Sequence, residues 1–301
     1  MINSSIRVSV IIPAYNCKDR ICAVLTSLIN QDFPASDYEI ILVNDGSTDG
    51  WETLPLPAFN NLVIYNKVNQ GAGLARRYGV EKAKGDVVIF HDADDIAYRH
   101  KISTLYNALT HSECIAAFAD VDFADDTQRT HGDNTQNTHI HATPLAHFCR
   151  SPYPLALAMN LATYKSHALT SFKGIEIFKA ANDYHFQFQL SLRGPWIHAQ
   201  IQTVEYFINE QGISSTNGPL KQVSYSLISL LTLMGSINAD PKQRSDIKDR
   251  IANEGPNAMV TFLLEKEYKH FASASFATLK HTRLLLLPKR IWWAINRRFQ
   301  K

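Results

Sequence analysis

Residues 86–95 read Asp-Val-Val-Ile-Phe-His-Asp-Ala-Asp-Asp, "DVVIFHDADD". An apolar, β-branched run opens into three carboxylates within four positions. Residues 86–90 predict a buried strand. Asp92, Asp94 and Asp95 follow it, and like charges this close repel one another. Taken alone, the stretch leaves two readings open. It is an acidic turn capping the helix that periodicity places at 99–110. Alternatively it is a hard-cation site, since Mg²⁺ and Mn²⁺ take oxygen ligands and are held by one or two carboxylates plus phosphate oxygens. His91 faces away from Asp92 if the strand persists and is given no role.

Upstream, strand and helix signals alternate. Residues 7–12, 39–43 and 62–65 predict strands, and 17–30 and 73–84 predict helices, the last ended by Gly85. Ser47 is a candidate cap for a short helix through Trp51. Residues 115–119 predict a further strand. Strands this apolar, alternating with helices, imply a Rossmann-like, mostly parallel α/β sheet covered on both faces. Ligands of such sheets bind at the carboxyl ends of the strands, where the polar clusters of this chain fall. Residues 125–141 are polar and aperiodic and predict a loop. From Pro219 onward the pattern is mainly helical.

The 301 residues are 45% hydrophobic and 19% charged, which suits one large or two modest globular domains. Cys17, Cys22, Cys114 and Cys149 lack zinc-ligand spacing and point to a reduced, cytoplasmic setting. The first apolar run is too short for a signal peptide, and no stretch is long enough to span a bilayer. The longest candidate, 225–237, predicts a buried helix. The net charge of +2 conceals an asymmetry: residues 280–301 hold seven Lys or Arg and no acid, against 23 basic and 28 acidic residues elsewhere. Within that tail Ile291, Trp292, Ile295 and Phe299 share one helical face. The tail either lies on an anionic membrane or packs on the body. No nucleic acid partner is expected.

There is no P-loop and no complete Gly-x-Gly-x-x-Gly; Gly71-Ala72-Gly73 is a fragment with Arg76 in the third small position. Arg76 and Arg77 at a helix start either meet phosphate oxygens or face solvent. In order, however, "VSVIIPAYN", "IILVNDGSTDG" and "NQGAGLARRYGVEKAKGDVVIFHDADD" resemble the nucleotide-sugar half of a family 2 glycosyltransferase with the GT-A fold. "FKGIEIFKAANDYHFQFQLSLRG" resembles that family's acceptor-side segment.

The resemblance implies three regions: a nucleotide-sugar half at 1–124, a variable loop with the acceptor side at 125–217, and a helical region with the basic tail at 218–301. It implies that Pro13, Ala14 and Tyr15 line the base and ribose, and that Asp45 accepts from the uracil N–H, as suits an acceptor-only group. Arg76 lies near the diphosphate, and Asp92-Ala93-Asp94 form the Asp-x-Asp motif, with Asp92 and Asp94 binding Mn²⁺ or Mg²⁺. Asp95 orients the others or caps. Asp183 is the implied general base that deprotonates an acceptor hydroxyl during inverting transfer.

Two positions depart from the family. Its usual Glu-Asp pair is Asn182-Asp183, and its Tyr-Arg-x-His strand end is Tyr206-Phe207-Ile208-Asn209. The implied partners are a UDP-sugar and a glycan or lipid-linked glycan of the cell surface, at the inner face of the cytoplasmic membrane. The competing classes are a nucleotidyltransferase, disfavoured because "PAYNCKDR" lacks the glycines that hold a triphosphate, and a non-catalytic sugar-nucleotide-binding module.

Overall fold

The computed structural model describes residues 6–123, 138–207 and 213–281. Nine described strands form one sheet: β1 (Val8–Ala14), β2 (Tyr38–Asn44), β3 (Leu62–Asn66), β4 (Val87–Phe90), β5 (Ile96–Ala97), β6 (Ala116–Phe123), β7 (Thr138–His141), β8 (Leu161–Tyr164) and β9 (Trp196–Tyr206). The nine described α-helices are α1 (Ile21–Ile29), α2 (Ala72–Lys82), α3 (Lys101–Thr110), α4 (Leu145–Arg150), α5 (Lys165–Ser171), α6 (Asn182–Ser191), α7 (Ile213–Leu233), α8 (Pro241–Leu264) and α9 (Tyr268–His281). The order β3-β2-β1-β4 is parallel throughout, as the alternation predicts. Beyond it β8 enters antiparallel between β4 and β6, and β9 pairs parallel with β6 and antiparallel with β5 and β7.

The central strands are continuous apolar runs because both faces are covered: every residue of β1, β2 and β4 is buried. Helix α1 turns Ile21, Val24, Leu25 and Leu28 onto the sheet, a helical stripe of four. Helix α2 approaches more closely on small residues. A Cβ added to Gly79 would stand 2.5 Å from Ile11 Cγ2, so only glycine allows this separation. At the amino edge, buried Ser9 donates to Glu39 and accepts from Gly85 N–H, which satisfies a polar pair inside the strands.

The chain separates into two compact units. One comprises Met1–Thr143, Ala156–Glu176 and Arg193–Asn209 and contains the whole sheet. The other comprises Pro144–Leu155, Ile177–Leu192 and Glu210–Lys301 and is helical. Its core is organised by Arg250, 4% exposed, which donates to Phe148 O, Tyr184 Oη, Ser226 Oγ and both carboxylate oxygens of Glu254. That network joins α4, α6, α7 and α8. Helix α8 opens with a capping box between Asp240 and Gln243. Of the buried helix expected at 225–237, residues 225–233 lie in α7, where Tyr225, Leu227, Ile228 and Leu230 are buried; Met234–Ser236 instead form an exposed 3₁₀ turn.

Three local expectations change. Ser47 caps no helix; a short 3₁₀ turn begins at Trp51, and Ser47 Oγ accepts from Trp51 Nε1 and Asn16 N. Helix α2 stops at Lys82, ahead of Gly85. Residues 138–141, inside the expected loop, form β7, because β9 supplies their backbone partners. Among the described residues no helix is long and apolar enough to cross a membrane. The basic stretch from 282 to 301 and the strand-end residues Ile208 and Asn209 lie outside the described residues.

Candidate active site

The parallel strands end side by side: Ala14 lies opposite Asn44, and Asn44 opposite Asn66. Their turns are tied by side chains. Asn44 Nδ2 donates to Glu52 and to Asn66 Oδ1, while its Oδ1 accepts from Ser47 N at 2.9 Å. Asn16 Oδ1 accepts from Thr48 N at 2.8 Å, so the turns after β1 and β2 hold each other. Pro13 and Ala14 are buried, whereas Tyr15 is 51% exposed. An exposed aromatic at a strand edge of this kind offers a stacking face.

Asp45 is buried beneath this edge. Its Oδ1 accepts from Lys67 Nζ at 2.5 Å and Gln70 N at 3.0 Å, and its Oδ2 from Gly71 N at 2.7 Å. The carboxylate therefore folds the segment between β3 and α2 over itself and keeps about one of its four acceptor positions. Gly46 has φ +73°, and a Cβ there would meet Asn69 N at 2.8 Å, so this contact requires glycine twice over. Lys67 was not signalled by any motif; its position directly after β3 is the one clue in the sequence.

The carboxylate turn follows β4. No helix starts there: β5 comes next, and α3 begins only at Lys101, with His100 at its cap position. The capping alternative therefore fails. Asp92 and Asp94 are half-buried, Ala93 is buried, and Asp95 is 0% exposed. Arg76, in the buried face of α2, places Nη2 2.5 Å from Asp92 Oδ1. Asp94 lies in electrostatic reach of Cys17; burial pushes that thiol up to about 12, and the charges of Asp49 and Asp94 add to the effect. Asp95 Oδ1 accepts from Phe207 N at 3.1 Å, whereas its Oδ2 is buried with no hydrogen-bond partner. Burial, with the charges of Asp92 and Asp94 behind it, pushes the Asp95 carboxyl up to about 8.

Such a set fits a hard divalent cation: oxygen donors only, two of them half-exposed, and a third carboxylate short of one partner. Among the described residues no cluster of three or more His, Cys, Asp or Glu encloses an ion alone.

The sheet unit thus gathers Pro13, Ala14, Tyr15, Asp45, Arg76, Asp92, Ala93 and Asp94 along one edge. Asp183 belongs to the helical unit, where it stands half-buried in the first turn of α6. Ala181, just before that helix, has φ +52°, and its N–H donates to Gln222 Oε1 at 2.8 Å. Neighbouring Tyr184 is buried and hydrogen-bonded to Phe148 O, Ser151 O and Arg250. His198 pairs with Asp120 at 2.8 Å and stacks on Phe118.

Residues 9–173 match the profile of "Glycosyl transferase family 2", and the chain belongs to that family. It is 32% identical over 105 residues to the poly(ribitol-phosphate) beta-N-acetylglucosaminyltransferase TarP of Staphylococcus aureus (strain N315), covering 34% of this chain and 32% of that protein. It is 37% identical over 108 residues to the poly(ribitol-phosphate) beta-glucosyltransferase of Bacillus spizizenii (strain ATCC 23059 / NRRL B-14472 / W23), covering 34% of this chain and 17% of that one. The matches thus span a third or less of these relatives' lengths. The crystal structure of S. aureus TarS 1-349 in complex with UDP superposes with a TM-score of 0.61 at 17% identity, covering 97% of this chain and 88% of that one. At that identity the likeness is one of fold, and that fold is GT-A.

Proposed function

We propose that this chain is an inverting glycosyltransferase that moves a sugar from a UDP-sugar to a hydroxyl of a cell-surface glycan or its lipid-linked precursor. The observation that carries the reading is the Asp92–Asp95 turn, set at the carboxyl edge of the parallel strands with Arg76 on Asp92. Such an edge is where open α/β sheets bind nucleotides. TarP and the Bacillus enzyme are named for transfer to poly(ribitol-phosphate), which supports a surface polymer as the acceptor class. The TarS structure with UDP supports the donor.

In this reading Tyr15 stacks on the base, and Asp45 offers its remaining acceptor position to the uracil N–H. Asp92 and Asp94 hold Mn²⁺ or Mg²⁺, which would neutralise charge on the diphosphate and its leaving group. Arg76 adds a fixed positive charge beside them. Asp183 takes the acceptor proton as the hydroxyl attacks, so one displacement inverts the anomeric carbon. The basic stretch at 280–301 holds the enzyme on the anionic inner face of the cytoplasmic membrane.

The test is a panel of UDP-sugars with Mn²⁺, followed by UDP release without acceptor and by UDP binding. Slow hydrolysis of one donor identifies the sugar. If no donor is hydrolysed and UDP does not bind, the proposal is lost. Loss of binding to anionic vesicles on removing residues 282–301 tests the membrane arm; unchanged binding refutes it.

A further inference from the structure

The strand alternation turns His91 away from Asp92, and the structure shows what lies on that side. His91 is 1% exposed, and its Nε2 stands 3.1 Å from the carbonyl oxygen of Asp95. A carbonyl only accepts, so Nε2 carries the proton and Nδ1 is the free acceptor. Lys101, 0% exposed in the first turn of α3, donates to that Nδ1 at 3.0 Å and to Phe90 O at 3.1 Å. A chain of hydrogen bonds thus runs from Lys101 through the imidazole to the far end of the 91–95 turn. The Asp95 carboxylate ties the same turn sideways to Phe207, at the end of β9.

A buried lysine is costly, and apolar residues of similar volume generally stabilise such a site as well or better. Its neighbours explain its place here. Burial pushes Lys101 down to about 7, while the charges of Asp95 and Asp92 draw it back up. His91 is held neutral by burial and by Lys101 itself.

We propose that Lys101 and His91 are positioning residues for the diphosphate–cation site: they brace the turn from below so that Asp92 and Asp94 present their oxygens together. This inference rests on the donor reading given above.

The test uses the full chain, Mn²⁺ and UDP, with binding followed by calorimetry and folding by thermal melting in EDTA. The double variant His91→Leu/Lys101→Met removes the Lys101–His91 bond with both its partners, and also takes a donor from Phe90 O and from Asp95 O, so it is expected to fold with a lowered melting temperature. It is expected to keep the metal-free UDP affinity and to lose about 10–100-fold in the Mn²⁺-dependent affinity, the range for residues that orient metal ligands. Lys101→Gln keeps an N–H donor without the charge and is expected to lose less than the double variant. Wild-type Mn²⁺-dependent affinity in the double variant overturns the proposal. If the double variant does not fold, Lys101→Gln decides: a reduced Mn²⁺-dependent affinity supports the proposal, and an unchanged one overturns it. A wild-type protein that binds no UDP, with or without Mn²⁺, defeats the donor reading and this inference with it. That outcome is distinguishable because it appears before any substitution is made.

Discussion

Arg76 Nη2 on α2 stands 2.5 Å from Asp92 Oδ1 at the end of β4, and the two side chains are 7% and 25% exposed. The clustered carboxylates are therefore partly neutralised from within the protein, by a residue reached across 16 positions of sequence.

Removing that guanidinium leaves Asp92 beside Asp94 with less positive charge. The pair lies between the exposed and buried limits, so Arg76→Met should cost about 2 kcal/mol. In a chain of this size that is a fall of about 3 °C in melting temperature. Mn²⁺ should restore part of the loss in the variant by resupplying positive charge, and should raise its melting temperature more than that of wild type. Equal melting curves in EDTA would show that the pair contributes nothing.

Asp95 gives a pH signature in the absence of metal. Its folded value near 8 lies above the ordinary 3.8, so between these values the folded state holds the extra proton. Stability is then complete below about pH 4 and is lost as pH rises toward 8. Above about pH 7 Lys101 acts in the opposite direction, because its folded value lies below the ordinary 10.5. Below about pH 6.5 His91, held neutral in the fold, acts in that opposite direction too, so the contribution of Asp95 is read as the difference between wild type and a non-titrating variant from pH 4 to 7. Asp95→Asn keeps an acceptor for Phe207 N–H but does not titrate. Its melting temperature in EDTA should fall less across that window than that of wild type, ending higher at pH 7. Parallel profiles would count against the assignment.

Asp183→Asn tests the base. The substitution keeps the shape of the α6 first turn and removes proton-accepting power. Turnover with the donor found in the UDP-sugar panel should fall about 10²–10⁴-fold, the usual contribution of a positioned base. UDP affinity should stay unchanged, because the groups proposed to hold the nucleotide are all in the sheet unit. Unaltered transfer would remove Asp183 from the reaction.

The parallel half of the fold was legible because strands covered on both faces become continuous apolar runs, and each run ended in a polar turn at the binding edge. The remainder rests on long-range pairing. Strand β7 reads as loop because Thr138–His141 is largely exposed and is a strand only through β9. Nothing local in the sequence announces that Lys101 is buried against His91 and Phe90. Asp92 and Asp94 were placed by motif order, yet the charges that hold the turn, Arg76 on one side and Lys101 beneath, come from two helices on either side of it in sequence. Ala181 is hidden for another reason: a left-handed residue is expected to be Gly, and here it is Ala.

That left-handed alanine is the basis of the last prediction. At φ +52° Ala181 carries a conformational cost of about 1–2 kcal/mol, offset in part by its N–H donating to Gln222 Oε1. Loss of this bond in Gln222→Leu should let residue 181 relax and shift the start of α6, which carries Asp183. Small displacements of a reacting group are expensive, so turnover should fall about 10-fold or more, with UDP affinity unchanged. Glycine adopts the left-handed region freely. In the Ala181→Gly background the same Gln222→Leu change should therefore cost much less turnover. Melting temperatures of all three variants distinguish this from general destabilisation. If Gln222→Leu is equally harmful in both backgrounds, Gln222 does not act through the conformation of residue 181.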